Sequence, residues 1–227
     1  MLLGRPAALV SRLPGRSIDQ PDLRQCAQVG LVLASMHQAC LSFELHQPNP
    51  RGLDWCALTA PQVMGFLKPD QAELLHDELQ AQQAFAQQPR ASHLPGGAVH
   101  ADLFRDNALF EGAELGGVID FYFAGTDHFV YDLAVTCNDW CIDLNDGRLQ
   151  ADRLDSLLSA YRAVRPLLAV ECEAWPIMLR RAALRFWLSR LADLHLPRPA
   201  SLLTPKDPAH FERIVRDRRH STPTLAH

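Results

Sequence analysis

The chain has 227 residues, of which 48% are hydrophobic and 21% are charged, an ordinary composition for a globular protein. A formal net charge of -4 and a pI of about 6.2 give no general attraction to nucleic acid or to an anionic membrane. No apolar segment has the length of a transmembrane helix, and the first residues do not form a signal peptide. We therefore predict a cytoplasmic protein that has six reduced cysteines and binds neither nucleic acid nor membrane; its oligomeric state is left open.

Hydrophobic periodicity predicts a mostly helical chain. A short strand is expected over Pro6–Val10, followed by a turn at Leu13–Arg16 and a helix from about Asp22 to Leu41. Residues 47–52 are a predicted loop, and a helix break is expected at Pro176, which fits the first turn of a new helix. The later helices are predicted over Pro61–Leu67, Gln71–Gln87, Phe129–Cys141, Asp152–Val164, Leu167–Glu173, Pro176–Leu194 and Pro208–Arg218.

Strand signals are concentrated near residue 100. Ala98–His100 is a predicted strand, and Ala108–Phe110 with Leu115–Ile119 form a predicted hairpin around Glu111–Glu114. The expected fold class is therefore mainly α with a small central β-hairpin.

Three polar side chains around this hairpin have the chemistry of phosphoryl transfer. Asp102 follows a short strand, and Asn107 stands five residues later at the start of another strand. Asp120 follows the apolar run that ends the hairpin. A carboxylate can orient a hydroxyl proton, while carboxylate and amide oxygens bind magnesium. Each aspartate alone is weak evidence, but the ordered set is specific.

The motifs resemble those of a known family. His100–Asn107 reads HADLFRDN and Gly117–Ala124 reads GVIDFYFA, which resemble the catalytic loop and metal-binding segment of the aminoglycoside phosphotransferase and choline kinase superfamily. This superfamily has the protein-kinase-like fold. With Tyr131–Ala134 (YDLA), the pattern is most similar to the bacterial homoserine kinase family of this type. The similarity extends over about residues 1–217 and includes Leu13–Arg16, Asn49–Trp55 and Leu184–Leu191.

The resemblance implies a role for each motif residue. Asp102 would be the catalytic base, and Asn107 and Asp120 would bind the magnesium of Mg-ATP. His100 would support the loop through hydrogen bonds, and Asp132 would stabilise the fold as an acceptor. The implied reaction moves the γ-phosphoryl group of ATP to the hydroxyl of L-homoserine, a step of threonine biosynthesis.

Recognition of homoserine requires one cation for its carboxylate and one anion for its ammonium group. We expect Arg181 or Arg185 to bind the carboxylate. Arg105 suits a phosphate or a carboxylate, and a surface salt bridge explains it equally well. The full set of candidates near the hairpin is Arg105, Asp127, Asp139, Arg181 and Arg185, with Tyr122 and Trp140 as possible walls.

The small lobe of such a kinase is not visible in the sequence. The fold places a phosphate-covering loop and a strand lysine in that lobe, whereas Lys68 and Lys206 have no strand context. We therefore expect residues 1–16 to be the last small-lobe strand and the hinge, residues 17–218 to be the helical large lobe and residues 219–227 to be a flexible tail. Roughly 90 residues of the family pattern would precede them, about the size of a small domain.

Two alternatives follow from this expectation. The chain is then part of a full kinase, or it is an impaired or inactive kinase-like fragment or a binding protein. In the second case, loss of the phosphate clamp would lower the rate by several orders of magnitude. Other acceptors, such as choline or an aminoglycoside, fit the motifs less closely. A metal hydrolase is disfavoured, because no histidine-rich ligand set is present.

Overall fold

A scaffold of helices surrounds two short antiparallel sheets. The computed structural model describes residues 10–196, 205–221 and 225. The strand predicted over Pro6–Val10 lies outside these ranges except for Val10. The mainly α class is confirmed. The helices of the described part are α1 (Leu23–Ala39), α2 (Leu53–Val63), α3 (Pro69–Ala86), α4 (Phe129–Trp140), α5 (Ala151–Val164), α6 (Ala169–His195) and α7 (Ala209–His220).

The first helix begins at a capping box. The Asp22 carboxylate accepts the backbone N–H of Gln25 at 2.8 Å, and the Gln25 side chain accepts the N–H of Asp22 at 2.9 Å. The buried stripe of α1 ends at His37, whereas the preceding Met36 is half-buried. The end of α1 therefore brings a polar ring into the interior.

The predicted hairpin is present, and a second pair of strands lies beside it in the chain order. β1 (Gly96–Val99) pairs with β4 (Gly125–His128), and β2 (Ala108–Glu111) pairs with β3 (Glu114–Val118). The strand β4 was not predicted, because its sequence GTDH lacks the apolar alternation of a strand. Its pairing with β1 places the segment after β1 beside the segment after β3. The two segments that carry the polar motif residues therefore run next to each other.

A single long helix replaces two predicted ones. The prediction of a helix break at Pro176 was wrong, since α6 is one helix of 27 residues that includes Pro176. A proline inside a helix removes one backbone hydrogen bond and costs about 3 kcal/mol. The neighbouring Trp175 and Met178 are buried, and α6 packs against α4 and α2, so tertiary packing outweighs the local preference. Similarly, Pro61 lies inside α2 and does not begin a helix.

All residues of α4 are buried. The helix packs against α6 on one side and against β1 and β4 on another, so no face of it meets water. Polar side chains on such a helix must find partners within the protein. Asp132 and Asp139 on α4 find these partners in the loop between β1 and β2, which connects the core to the site.

Candidate active site

Asp132 holds the backbone of the loop that follows β1. Its carboxylate accepts the backbone N–H groups of His100 at 2.9 Å and of Ala101 at 2.7 Å. Ala101 has a φ of 62°, in the left-handed region that alanine rarely adopts. The two hydrogen bonds therefore stabilise a bend after which Asp102 lines a cavity.

The charge of Asp132 is itself stabilised from inside the core. His37 Nε2 lies 3.0 Å from Asp132 Oδ2, and both side chains are almost completely buried. Burial alone would raise the pKa of Asp132, but the hydrogen bond and charge of His37, together with the loop N–H groups, lower the pKa below its usual value. Asp132 is therefore a carboxylate at neutral pH.

At Asp102 the effect of burial outweighs that of the neighbouring positive charges, so its pKa is raised and not lowered. Burial raises its pKa from 3.8 to about 6, although the guanidinium of Arg185 and the ring of His100 act in the other direction. Arg185 Nη1 approaches Asp102 Oδ1 only to 3.4 Å, so the ion pair is loose. Asp102 is therefore ionised at neutral pH, and it accepts a proton more readily than an exposed aspartate does.

Asn107 and Asp120, the other two motif residues, are connected to Asp102 by hydrogen bonds to backbone carbonyl groups. Asn107 donates its Nδ2 to the carbonyl of Asp102 at 2.8 Å, and its own carbonyl accepts the N–H of Ile119 at 2.9 Å. Asp120 comes next, with φ 65° and ψ 62°. This left-handed residue turns the chain sharply, and Asp102, Asn107 and Asp120 all line one cavity of about 410 Å³.

His100 connects the same two segments. Its Nδ1 accepts the backbone N–H of Asp102 at 3.2 Å, and its Nε2 lies 3.0 Å from the carbonyl of Ile119. The ring also packs on Phe121, with 4.7 Å between the centroids. Both ring nitrogens are occupied in this way, which fits the supporting role inferred from the motif.

Two of the candidate arginines are occupied by structural partners. Arg105 is held in a fork by Asp139, with Nε to Oδ2 at 2.9 Å and Nη2 to Oδ1 at 3.1 Å. Arg181 donates to Asp127 at 2.9 Å and lines a separate cavity of about 220 Å³. Arg185 is the candidate that lines the cavity of the motif residues.

The two candidate walls, Tyr122 and Trp140, do not line this cavity. Trp140 is fully buried and donates its indole N–H to the carbonyl of Leu103 at 3.1 Å. Tyr122 is 88% exposed and borders a neighbouring cavity of about 460 Å³. This second cavity is lined by Val10, Ser11 and Leu13 on one side and by the end of β3 on the other. Asp120 lines both cavities and so marks where they meet.

A buried polar chain behind Asp132 was missed by sequence reasoning. His37 Nδ1 lies 2.7 Å from the hydroxyl of Tyr161, which accepts from Arg165 at 3.1 Å. Arg165 in turn pairs with Glu171 at 3.0 Å. The available signal was His37, a polar residue four positions after Leu33 on an apolar helix face.

Neither lysine lies on a strand, as predicted. Lys68 is the residue before α3, and the ammonium group of Lys206 lies 3.1 Å from Asp106. Lys206 lines the cavity of the motif residues and brings a cation to its rim.

Within the described ranges, no cluster of three or more His, Cys, Asp or Glu side chains could hold a metal ion. A cation bound here would instead have ligands of mixed amide and carboxylate type. In the same ranges no helix is long and apolar enough to cross a membrane.

The amino-acid sequence is similar to a known family and to curated relatives. Residues 1–167 match the family described as "Phosphotransferase enzyme family". The chain is 52% identical to the homoserine kinase of Janthinobacterium sp. (strain Marseille), covering 99% of this chain and 70% of that protein. It is 50% identical to the homoserine kinase of Paraburkholderia xenovorans (strain LB400), covering 96% and 68%. The resemblance predicted from the motifs is confirmed over nearly the whole chain.

Solved structures share the fold at low sequence identity. An amicoumacin kinase in complex with AMP-PNP, Ca2+ and Ami matches with a TM-score of 0.64 and 17% identity, covering 93% of this chain and 64% of that one. The ethanolamine kinase of Plasmodium vivax matches with a TM-score of 0.63 and 12% identity, covering 91% and 63%. This chain thus spans slightly less than two thirds of both structures. The predicted kinase-like fold is confirmed.

Proposed function

The chain belongs to the phosphotransferase enzyme family, and we propose that it transfers the γ-phosphoryl group of ATP to the side-chain hydroxyl of L-homoserine. The observation that supports this proposal most directly is that Asp102, Asn107 and Asp120 line one cavity. The names of the relatives support homoserine as the acceptor. We assign the reaction to threonine biosynthesis in the cytoplasm, residues 1–16 to the hinge segment, residues 17–218 to the large lobe and residues 219–227 to a tail.

Asp102 is the proposed proton acceptor. The hydroxyl oxygen of homoserine attacks the γ-phosphorus of ATP, the bond from this phosphorus to the bridging oxygen breaks, and ADP leaves. The hydroxyl proton passes to the carboxylate of Asp102. Burial raises the pKa of Asp102 to about 6, which is still below neutral pH, so the carboxylate is ionised and can take up the proton. The carboxylate also orients the hydroxyl for in-line attack, which is the larger part of catalysis in this chemistry.

Asn107 and Asp120 have the chemistry to hold Mg2+. Asn107 uses its Nδ2 for the carbonyl of Asp102, which leaves its Oδ1 as a possible metal ligand. Among the described residues, no side-chain hydrogen bond or ion pair of the Asp120 carboxylate is found, so this group is available to a metal ion in the cavity. Such hard oxygen ligands suit Mg2+, which is usually held by few protein groups together with phosphate oxygens. When bound, Mg2+ would neutralise charge on the phosphates.

We expect Asp120→Asn to raise the Mg2+ concentration needed for half-maximal activity by about 10- to 100-fold or more, since it removes the charged ligand. A second measurement is the binding of Mn2+ with a non-hydrolysable ATP analogue, followed by water-proton relaxation. Asp106→Asn is the matched control, because Asp106 lines the same cavity but pairs with Lys206. Equal metal affinity in the two variants would remove Asp120 from the ligand set.

The neighbouring cavity of about 460 Å³ is the proposed site of the adenosine part of ATP. Its lining is largely apolar, with Leu13, Val118 and Phe121 among the residues that form it. Asp120 lines both cavities, so a nucleotide lying in this one directs its phosphates toward Asp102 and Asn107.

The identity of the phosphoryl acceptor is tested with a panel of alcohols. ADP release is measured with L-homoserine, choline and an aminoglycoside, and the phosphorylated product is identified by phosphorus NMR. We expect homoserine to exceed the other acceptors in kcat/KM by about 100-fold or more, because a site built for polar groups rejects ligands that lack them. The Asp102→Asn variant is the negative control. Equal use of choline, or product formation that does not depend on homoserine, would exclude the proposed function.

A further inference from the structure

Arg185 is a buried cation with unused hydrogen-bond donors beside the proposed base. It lies on α6 and is 2% exposed. Its Nη1 makes the long contact with Asp102 at 3.4 Å. Its Nε and Nη2 are buried without a hydrogen-bond partner in the part of the chain that the structure describes. The residue lines the cavity of the motif residues, so an anion that enters this cavity comes next to the guanidinium.

Two aromatic rings fix the position of this guanidinium. Its Cζ lies 3.8 Å from the centroid of Phe186 and 4.9 Å from that of Phe123. The rings attract the cation, but they leave the in-plane N–H groups without acceptors. Because arginine does not lose its proton in proteins, the charge cannot be removed by titration. A buried charged group with open donors indicates a missing anion.

The two open nitrogens also have the geometry for one particular anion. Nε and Nη2 lie on the same edge of the guanidinium, so their N–H bonds are parallel. That edge matches the two oxygens of a carboxylate in a bidentate pair. Nη1 is on the other side and stays with Asp102.

On the basis of the kinase activity proposed above, we propose that Arg185 binds the α-carboxylate of the acceptor through Nε and Nη2. The site then selects hydroxylated amino acids over alcohols and amino alcohols that lack a carboxylate. In homoserine three carbon atoms separate the hydroxyl from the carboxylate. The contact between Arg185 and Asp102 lets one such molecule reach both residues.

A phosphoryl oxygen of ATP is the other anion that could approach Arg185. The residues proposed to hold the metal, Asn107 and Asp120, are on the two segments between strands, whereas Arg185 is on α6 and touches Asp102. The guanidinium is thus adjacent to the group that receives the proton of the acceptor, which favours the acceptor carboxylate. The two sources are distinguished by an acceptor without a carboxylate.

Arg181 is a matched control one helical turn before Arg185. It is also largely buried and also lies over an aromatic ring, with its Cζ 4.7 Å from the centroid of Tyr131. Unlike Arg185, it is paired with Asp127 and lines another cavity. Loss of Arg181 should therefore affect all acceptors alike.

The test compares L-homoserine with 3-aminopropan-1-ol, which is homoserine without its carboxylate. The unmodified protein is expected to favour homoserine by about 100-fold or more in kcat/KM. Arg185→Gln should lower the ratio of kcat/KM for homoserine to kcat/KM for the amino alcohol by a similar factor, because any effect of the substitution on Asp102 acts on both acceptors and cancels in the ratio. Arg185→Lys should recover part of the preference, because it restores the charge without the fork.

Three outcomes overturn the assignment. If Arg185→Gln affects both acceptors equally, the guanidinium serves the phosphates or the structure. If Arg181→Gln abolishes the preference instead, the carboxylate is bound at the other arginine. If the unmodified protein does not distinguish the two acceptors, Arg185 does not bind a carboxylate, whether or not the variants fold. Failure to phosphorylate any acceptor would instead refute the proposed function, and the assignment of Arg185 with it.

Discussion

Replacement of Asp102 by asparagine is expected to lower kcat by about 100- to 10,000-fold, the usual contribution of a positioned general base. The amide keeps the size of the carboxylate but cannot take a proton. Binding of homoserine and of Mg-ATP should change little, because neither depends on proton transfer. Single-turnover measurements separate the chemical step from product release and therefore report the loss directly. In the unmodified protein, activity should fall as the pH drops below about 6, where Asp102 becomes protonated.

The same substitution should make the fold more stable at neutral pH. Burial raises the pKa of Asp102 from 3.8 to about 6, so ionisation in the folded state is unfavourable. This penalty is absent below the unfolded-state pKa and is complete above pH 6, where it is about 3 kcal/mol. An asparagine has no such penalty. We therefore expect Asp102→Asn to raise the melting temperature by several degrees at pH 7.5 and to have little effect at pH 3.5.

Thermal unfolding at the two pH values measures this difference. Asp106→Asn is the matched control, because its side chain is 57% exposed and its pairing with Lys206 contributes little. If the asparagine variant of Asp102 is no more stable than the unmodified protein at pH 7.5, the environment of Asp102 is more polar than its burial indicates.

The part of the site that was predictable from sequence is the part that is local in the chain. Asp102 and Asn107 are five residues apart, and Asp120 follows across a short hairpin whose turn is visible in the sequence. Hydrogen bonds such as that from Asn107 to the carbonyl of Asp102 connect neighbours in sequence. Local spacing and turn chemistry were therefore sufficient to group these three residues.

Sequence reasoning could not choose between the arginines, because their partners are distant in the chain. Arg181 and Arg185 are one turn apart on the same helix, with similar sequence surroundings. Their difference depends on Asp127 and Asp102, which are 54 and 83 residues away. The packing of α6 among the other helices places Arg181 beside Asp127 and Arg185 beside Asp102, and this decides which guanidinium is paired and which retains open donors.

The errors in helix limits have the same origin. Pro176 has the local signature of a helix start, and no property of its immediate neighbours overrides that signature. The helix continues because Trp175 and Met178 are buried against other helices. Strand β4 was missed because pairing with β1, rather than its own composition, makes GTDH extended.

Replacement of Asp132 by alanine is expected to lower the free energy of unfolding by about 3 to 5 kcal/mol, the effect of breaking a buried ion pair. Asp132 is completely buried and accepts from three donors, the N–H groups of His100 and Ala101 and the ring of His37. All three would remain buried without their acceptor. Urea unfolding measures the loss, and hydrogen exchange at the amides of His100 and Ala101 shows whether the bend opens.

Thr136→Val is the matched control, since Thr136 is buried one turn later on α4 and its hydroxyl donates to the backbone carbonyl of Asp132. It should cost about 1 kcal/mol or less. The pKa of Asp132 is lowered by His37 and the loop amides despite burial, so its stabilising effect is present above the unfolded-state pKa and is lost as pH falls through the lower folded-state pKa. The difference between Asp132→Ala and the unmodified protein should therefore shrink at acidic pH. A variant that keeps both its stability and the protection of the His100 and Ala101 amides would show that the left-handed bend before Asp102 does not depend on Asp132.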